Sequence, residues 1–319
     1  WSGLGEGVNV PVRVLLGNDG SLGLGSALYV GGDFSTAGGS QANGIARWNG
    51  FVWSPLVLES GGASTNFSVL DLVVHRESIT ASPTLFAAGT FFQLGGFPGT
   101  AGIARWDGGT TWSSVGGGLA GPADSLASFD DGSGSIPALF VAGSFASAGA
   151  AAANNIARWN GTAWAPLGSG VGGAVRALVV HQGPVTQSPS LFVGGNFLLA
   201  GGLLANRIAW WGVQGWSTIG MGLTNTVNAL AVFDDGGGSG PDLYIGGAFT
   251  WAGGQPASRA IAWDGQTWSS LGSGLNGPAF AMHVSGASSV AGSGLIVGGD
   301  FTTAGGQPAN RVARWDGQG

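Results

Sequence analysis

Apolar residues along this chain come in short runs. Between positions 226 and 272 they read TVNALAVF (226–233), DLYIGGAF (242–249), RAIAWDG (259–265) and TWSSLG (267–272), with Gly, Asp, Asn and Pro filling the gaps. β-branched and aromatic residues inside the runs, with turn formers between them, make the pattern of strands joined by tight turns. Helices are not predicted, because glycine pairs interrupt every candidate before it reaches helical length.

The runs repeat. Cutting before each Trp-Ser or Trp-Ala gives six units, 1–52, 53–111, 112–163, 164–215, 216–267 and 268–319, all of 52 residues except the second, which has 59. A second Trp closes each unit, so that twelve of the fourteen tryptophans belong to the repeat and only Trp210 and Trp251 stand outside it. A four-stranded unit repeated six times predicts an all-β, six-bladed β-propeller of four antiparallel strands per blade, forming a single domain over 1–319. The extra residues of the second unit fall in its loops, which keeps the strand register and hence the face of each side chain. The last unit ends in ARWDGQG (313–319) where the others continue into a Trp-Ser strand, and the chain opens on WSGLGEG (1–7). Residues 1–7 are therefore expected to complete the C-terminal blade and close the ring, with Trp1 packing as Trp53, Trp112, Trp164, Trp216 and Trp268 do. A blade lies between two neighbours, which accounts for the positive mean hydropathy and the poor polar alternation. The paired glycines after runs such as LYV, Gly31 and Gly32 or Gly194 and Gly195, predict a bulge or a close backbone approach.

The text LYVGGDFSTAGGSQANGIARWNGFVWSPL (28–56) resembles two propeller families. Its double glycine and spaced aromatic pair are similar to kelch repeats. The fuller pattern of F, AGG, N, IA, W, DG and W resembles the repeats of Rax2-type cell-surface polarity proteins and related secreted propellers. That resemblance implies an extracellular or cell-surface location and a structural or interaction role. Enzymes of the galactose oxidase type need a copper site with a Cys-linked Tyr, and this chain has no Cys and only Tyr29 and Tyr244. A sialidase reading of DGGTTW (107–112) lacks the preceding Ser or Thr.

Composition narrows the partners. The net charge is −6, and the ten basic residues are all Arg, so nucleic acid is not an expected partner. The longest charge-poor stretches carry GP, SP and GG, which a spanning helix rarely holds, so no membrane span is predicted. No cofactor is expected. His75 and His181 occupy a slot that other units fill with Phe129 and Phe233, and are read as core residues, while His283 lies two positions earlier in its unit. Asp130, Asp131, Asp234, Asp235 and Asp242 follow first strands. They are weak calcium candidates, better read as Asp-Gly turns, so no metal site is expected. Asp71 and Asp124 are the acids placed on inner strands.

Arg47, Arg105, Arg158 and Arg314 precede a repeated Trp and are expected to make contacts between blades. Arg207, Arg259 and Arg311 share a different slot, ahead of the third strand, where earlier units have Gly44, Gly102 and Asn155. They predict a basic arc at the blade end opposite the acidic loops. These three arginines, with Trp251 and Trp210, are the candidate binding residues. Sequons at Asn66 and Asn160 are candidate glycan sites if the chain is exported. The sequence thus points to a non-catalytic exported propeller that contacts protein, including itself head to tail in a filament, with glycan or peptide binding as the alternative.

Overall fold

The computed structural model describes residues 2–22, 25–57, 68–182, 188–237, 240–286 and 293–317. The fold is all-β, and the described residues contain one 3-10 turn, Leu94–Gly96, and no α-helix. Six antiparallel sheets follow one another along the chain as the blades of a six-bladed β-propeller. Contacts divide the chain into two compact units, Trp1–Pro166 and Leu167–Gly319, each holding three blades.

In the fifth blade the strands are Val227–Phe233, Asp242–Gly247, Ala260–Trp263 and Trp268–Ser270, paired in that order. Five blades share this path, and each takes its fourth strand from the Trp-Ser or Trp-Ala that opens the next sequence unit. Blade and sequence repeat are thus offset by one strand. The repeated tryptophans face each other across the third and fourth strands, as in Trp48↔Trp53, Trp159↔Trp164 and Trp263↔Trp268. The sixth blade has three described strands, Ala279–Ser285, Gly294–Gly299 and Val312–Trp315. Trp1, on which the closing-strand expectation turns, lies outside the described residues, and residues 2–7 form no strand.

Neighbouring blades within a unit bury both faces of the sheets between them. The second strand of the third blade, Ala138–Gly143, is buried at every position, which is why apolar and polar residues do not alternate there. In the first unit, Phe86, Ile103, Leu126, Leu139 and Trp159 join the second and third blades in one core. In the second, Phe192, Val227, Ile245, Phe249 and Trp263 join the fourth and fifth.

The fourth-strand Trp also carries a polar tie. Its indole Nε1 donates to a carbonyl just past the fourth strand of the preceding blade: Trp112 to Leu56 at 2.9 Å, Trp164 to Val115 at 3.0 Å and Trp216 to Leu167 at 2.8 Å. Trp53 donates in the same way to Leu4 at 2.7 Å, so residues 4–8 sit against the first blade as 115–119 sit against the third.

The double glycine in the second strand of the first, fourth, fifth and sixth blades has the expected cause. A Cβ on Gly31 would come within 2.6 Å of Val14 Cγ1 and 2.7 Å of Val69 Cγ1 on the next blade, and one on Gly32 within 2.5 Å of the Pro11 carbonyl oxygen. A register shift between Val12 and Val14 lies opposite, and corresponding bulges recur in the other blades. Sequence reading missed a small hairpin between the second and third strands, such as Thr36–Ala37 with Ser40–Gln41 and Trp251–Ala252 with Gln255–Pro256. The AGG motif was its signal, since consecutive glycines at positive φ, 57° and 85° at Gly253 and Gly254, form the two-residue turn. In the second blade the Leu94–Gly96 turn replaces this hairpin, and Thr100 Oγ1 accepts from Leu94 N at 2.8 Å.

Candidate functional site

Because the blades share one frame, positions that repeat carry the architecture and departures from it mark individual sites. The slot of Arg207, Arg259 and Arg311 shows this first. All three have left-handed backbone, with φ of 74°, 65° and 66°, and the earlier blades place Gly44, Gly102 and Asn155 there at 79°, 70° and 63°. Left-handed backbone costs an L-residue with a Cβ roughly 1–2 kcal/mol, so arginine in this slot is retained against local preference. The three do not act alike. Arg259 Nη1 donates to the Leu275 carbonyl at 3.1 Å, and Arg311 lies 3.5 Å from Asp300, both side chains well exposed. Arg207 Nε is buried and has no hydrogen-bond partner among the described residues.

Arg207 lines a cavity of about 370 Å³ with Asn206, Met221, Leu223, Thr224 and Trp251. Two further departures meet it there. Trp251 stands where other blades have Thr36, Ser147, Leu199 and Thr303, and it is 47% exposed. Met221 stands where they have Glu6, Gly117, Ser169 and Ser273. The main-chain scaffold around them is repeated, as in Leu223 N to the Asn206 carbonyl and Gly253 N to the Gly222 carbonyl, both at 2.9 Å, while Asn206 Nδ2 donates to the Met221 carbonyl at 2.9 Å. A Cβ on Gly254 would come within 2.2 Å of Met221 Cε, so the bare glycine is what lets the thioether lie over the hairpin.

Trp210 lies elsewhere. It replaces the arginine that precedes the repeated Trp, pairs with Phe192 in register and packs against that ring at 6.3 Å. It lines a separate groove of about 540 Å³ with Leu203, Trp216, Trp263 and Trp268. The candidate residues therefore divide: Arg207 and Trp251 come together, and Trp210, Arg259 and Arg311 do not join them. Sequence reading missed Met221 and the blade-four hairpin, where Leu198, Leu199, Leu203 and Leu204 are all exposed. The signal was available, since LLAGGLL (198–204) replaces the small and polar residues that the first and third units carry around the same turn.

The other chemistry-bearing residues are held by the scaffold. His75 shares a 2.9 Å hydrogen bond between Nδ1 and Ser128 Oγ and packs on Phe86, while His181 packs on Phe192. Burial pushes both imidazoles below their usual range. Arg105 pairs with Glu77 at 2.6 Å and Arg158 with Asp131 at 2.8 Å. Each acid follows the first strand of the same blade, so these pairs brace single blades and do not join two as expected. The joining group is Glu77, whose other oxygen accepts from Trp159 Nε1 of the next blade at 2.8 Å.

The acidic loops are Asx turns. Asp130 and Asp234 accept from the amides of Gly132 and Gly236 at 3.0 and 2.9 Å, and Asp235 accepts from Gly237 N at 2.9 Å and Tyr244 Oη at 2.8 Å. Asp242 is raised above its ordinary value by burial and then by the neighbouring Asp235, Asp264 and Asp234. Among the described residues no group of three or more His, Cys, Asp or Glu side chains is arranged to hold a metal ion. Asn160 is exposed, and its Oδ1 accepts from Thr162 N and Ala163 N in a tight turn. Asn66 lies outside the described residues.

Two segments, 26–49 and 294–317, match a family described as a β-propeller domain of unknown function, DUF5122. Both cover the same part of the frame, from the second strand to the turn after the third. This supports a propeller repeat family without assigning it to the kelch or Rax2 type. No curated protein matches the chain. Among solved structures the chain is similar to BBS1N, crystallised in complex with ARL6DN and soaked with lead, with 10% identity, 92% of this chain and 90% of that chain covered, and a TM-score of 0.43. No helix among the described residues is long and apolar enough to cross a membrane.

Proposed function

We propose that the chain is a non-catalytic interaction module, exported to the cell surface or an extracellular assembly, that binds a partner protein through the hairpin end of its second unit. A β-propeller suits a protein-interaction role, since its repeated blades leave the connections free to vary. The observation that carries the reading is the blade-four hairpin. Leu198, Leu199, Leu203 and Leu204 are exposed together on a turn that the first blade builds from Ser35, Thr36, Ser40 and Gln41. Exposed apolar clusters of this kind mark contact surfaces, and the adjoining Trp251, Met221 and Arg207 are residue types enriched in interfaces. The fixed roles of His75, Asp131, Glu77 and Asp235 within the scaffold support a non-catalytic reading. Export rests on the resemblance to Rax2-type repeats and on the exposed Asn160 sequon.

Head-to-tail self-association into a filament is the further form of this reading. In the fifth blade, Arg259 precedes the third strand while Asp234 and Asp235 follow the first, at opposite ends of the sheet. Light scattering at low and high salt tests it: association that weakens with salt supports stacking, and a monomer at every salt concentration refutes it. The wider reading is tested by cross-linking capture with the intact chain. A specific partner retained by the parent and lost on Leu199→Ser/Leu204→Ser substitution is expected, and retention unchanged by that pair excludes the hairpin. Carbohydrate or peptide binding at Trp251 is the second reading, favoured by the ring's exposure, and a glycan array with Trp251→Ala as control addresses it.

A further inference from the structure

We propose that the cavity formed by Arg207, Met221 and Trp251 recognises a partner-protein segment presenting a carboxylate beside an apolar or aromatic side chain. The proposal rests on the interaction-module reading and specifies its chemistry.

Two residues, Met221 and Trp251, depart from the repeated frame at separate points of the chain, and they line one cavity of about 370 Å³ together with Arg207, the first arginine of the slot that it shares with Arg259 and Arg311. Among the described residues of that lining arginine is the only ionisable one, so the site favours an anion. Arg207 Nε has no hydrogen-bond partner among the described residues, whereas the equivalent Arg259 and Arg311 have a carbonyl and a carboxylate within reach. Two of the other polar side chains are engaged. Asn206 Nδ2 donates to the Met221 carbonyl, and Thr224 Oγ1 accepts from Trp251 N at 3.2 Å and Thr250 N at 3.3 Å.

This distribution separates the two ligand classes. A sugar brings many hydroxyls, each of which loses water on entry and needs a replacement partner. The lining is mostly apolar, and Asn206 Nδ2 and Thr224 Oγ1 are already engaged, which matches that demand poorly. An apolar group tipped with one carboxylate needs only what is present: a flat ring in Trp251, an adaptable thioether in Met221 and one guanidinium suited to a carboxylate.

The test uses the whole chain, 15N-labelled, with 3-phenylpropionate as probe and 3-phenylpropanamide and glucuronate as comparators. The indole N–H signal of Trp251 is identified by its loss in Trp251→Phe. Saturable movement of that signal by 3-phenylpropionate is expected, with the amide weaker by about tenfold, the factor that 1.4 kcal/mol supplies. Arg207→Gly should abolish the preference for the acid. The variant should keep its fold, because glycine occupies this left-handed slot in the first two blades. Equal binding of acid and amide, a preference that survives Arg207→Gly, tighter binding of glucuronate, or no saturable shift with 3-phenylpropionate would each overturn the proposal. Partner capture separates the two levels. A partner retained equally by the parent, Arg207→Gly and Trp251→Ala leaves the interaction module standing and removes this site, whereas a parent that retains no partner removes both.

Discussion

Asp71 lies on the Val69–His75 strand and reaches the next blade, where its Oδ2 accepts from Leu126 N at 2.7 Å and Ser125 Oγ at 3.3 Å; Oδ1 accepts from Leu72 N at 2.8 Å. Burial outweighs these three donors and lifts the carboxyl from its ordinary 3.8 to about 6. In this window the folded chain holds a proton that the unfolded chain has already released. Stability is therefore lost as the pH rises from about 4 through 6. A shift of about two pKa units corresponds to about 3 kcal/mol. Asp71→Asn keeps the shape and cannot titrate, while the other carboxylates remain common to both proteins and cancel in the difference. Urea unfolding of the whole chain, followed by tryptophan fluorescence between pH 4 and 7, should show the parent losing up to about 3 kcal/mol more than the variant. Parallel profiles, or a parent that gains on the variant with rising pH, would refute the account of Asp71 as a carboxyl held protonated by burial.

Other substitutions test the frame. Trp164→Phe keeps a ring in the core but removes one of two donors to the Val115 carbonyl, Gly118 N remaining at 3.0 Å, and denaturant titration should register a loss of about 1 kcal/mol. Gly201→Ala combines a φ of 60° with a Cβ that would come within 2.4 Å of Trp216 Cδ1, and should cost about 3 kcal/mol or more by the same measurement. Gly202→Asn, at a φ of 83° with no atom within 4 Å of a Cβ, meets only the left-handed backbone and should cost about 1 kcal/mol, less than Gly201→Ala. Arg311→Gly, which relieves left-handed backbone at an exposed position, should raise stability by about 0.5 kcal/mol once the added freedom of the unfolded chain is counted.

Strand content, the number of blades and the bulge opposite each glycine pair were legible along the chain, because each follows from local chemistry repeated at a fixed period. The aromatic slot of His75 and His181 was legible too: comparison with Phe129 and Phe233 identified it before any contact was known. The partners of Arg105 and Arg158 were not, since register across two strands decides that they meet Glu77 and Asp131 of their own blades. The short hairpin at Trp251 left only its AGG turn as a signal, because its two-residue strands are smaller than the periods that patterning can resolve.

Periodicity by itself determined that this protein is a six-bladed propeller and which residues are architecture, because a repeated side chain must fill a repeated environment. Tertiary structure decided the site. In sequence Arg207 belongs to a recurring slot, whereas Met221 and Trp251 look like unrelated exceptions in different elements. They converge only because the chain passes from the fourth blade to the fifth beside the hairpin that carries Trp251, an adjacency set by packing between sheets and unreadable from either strand alone.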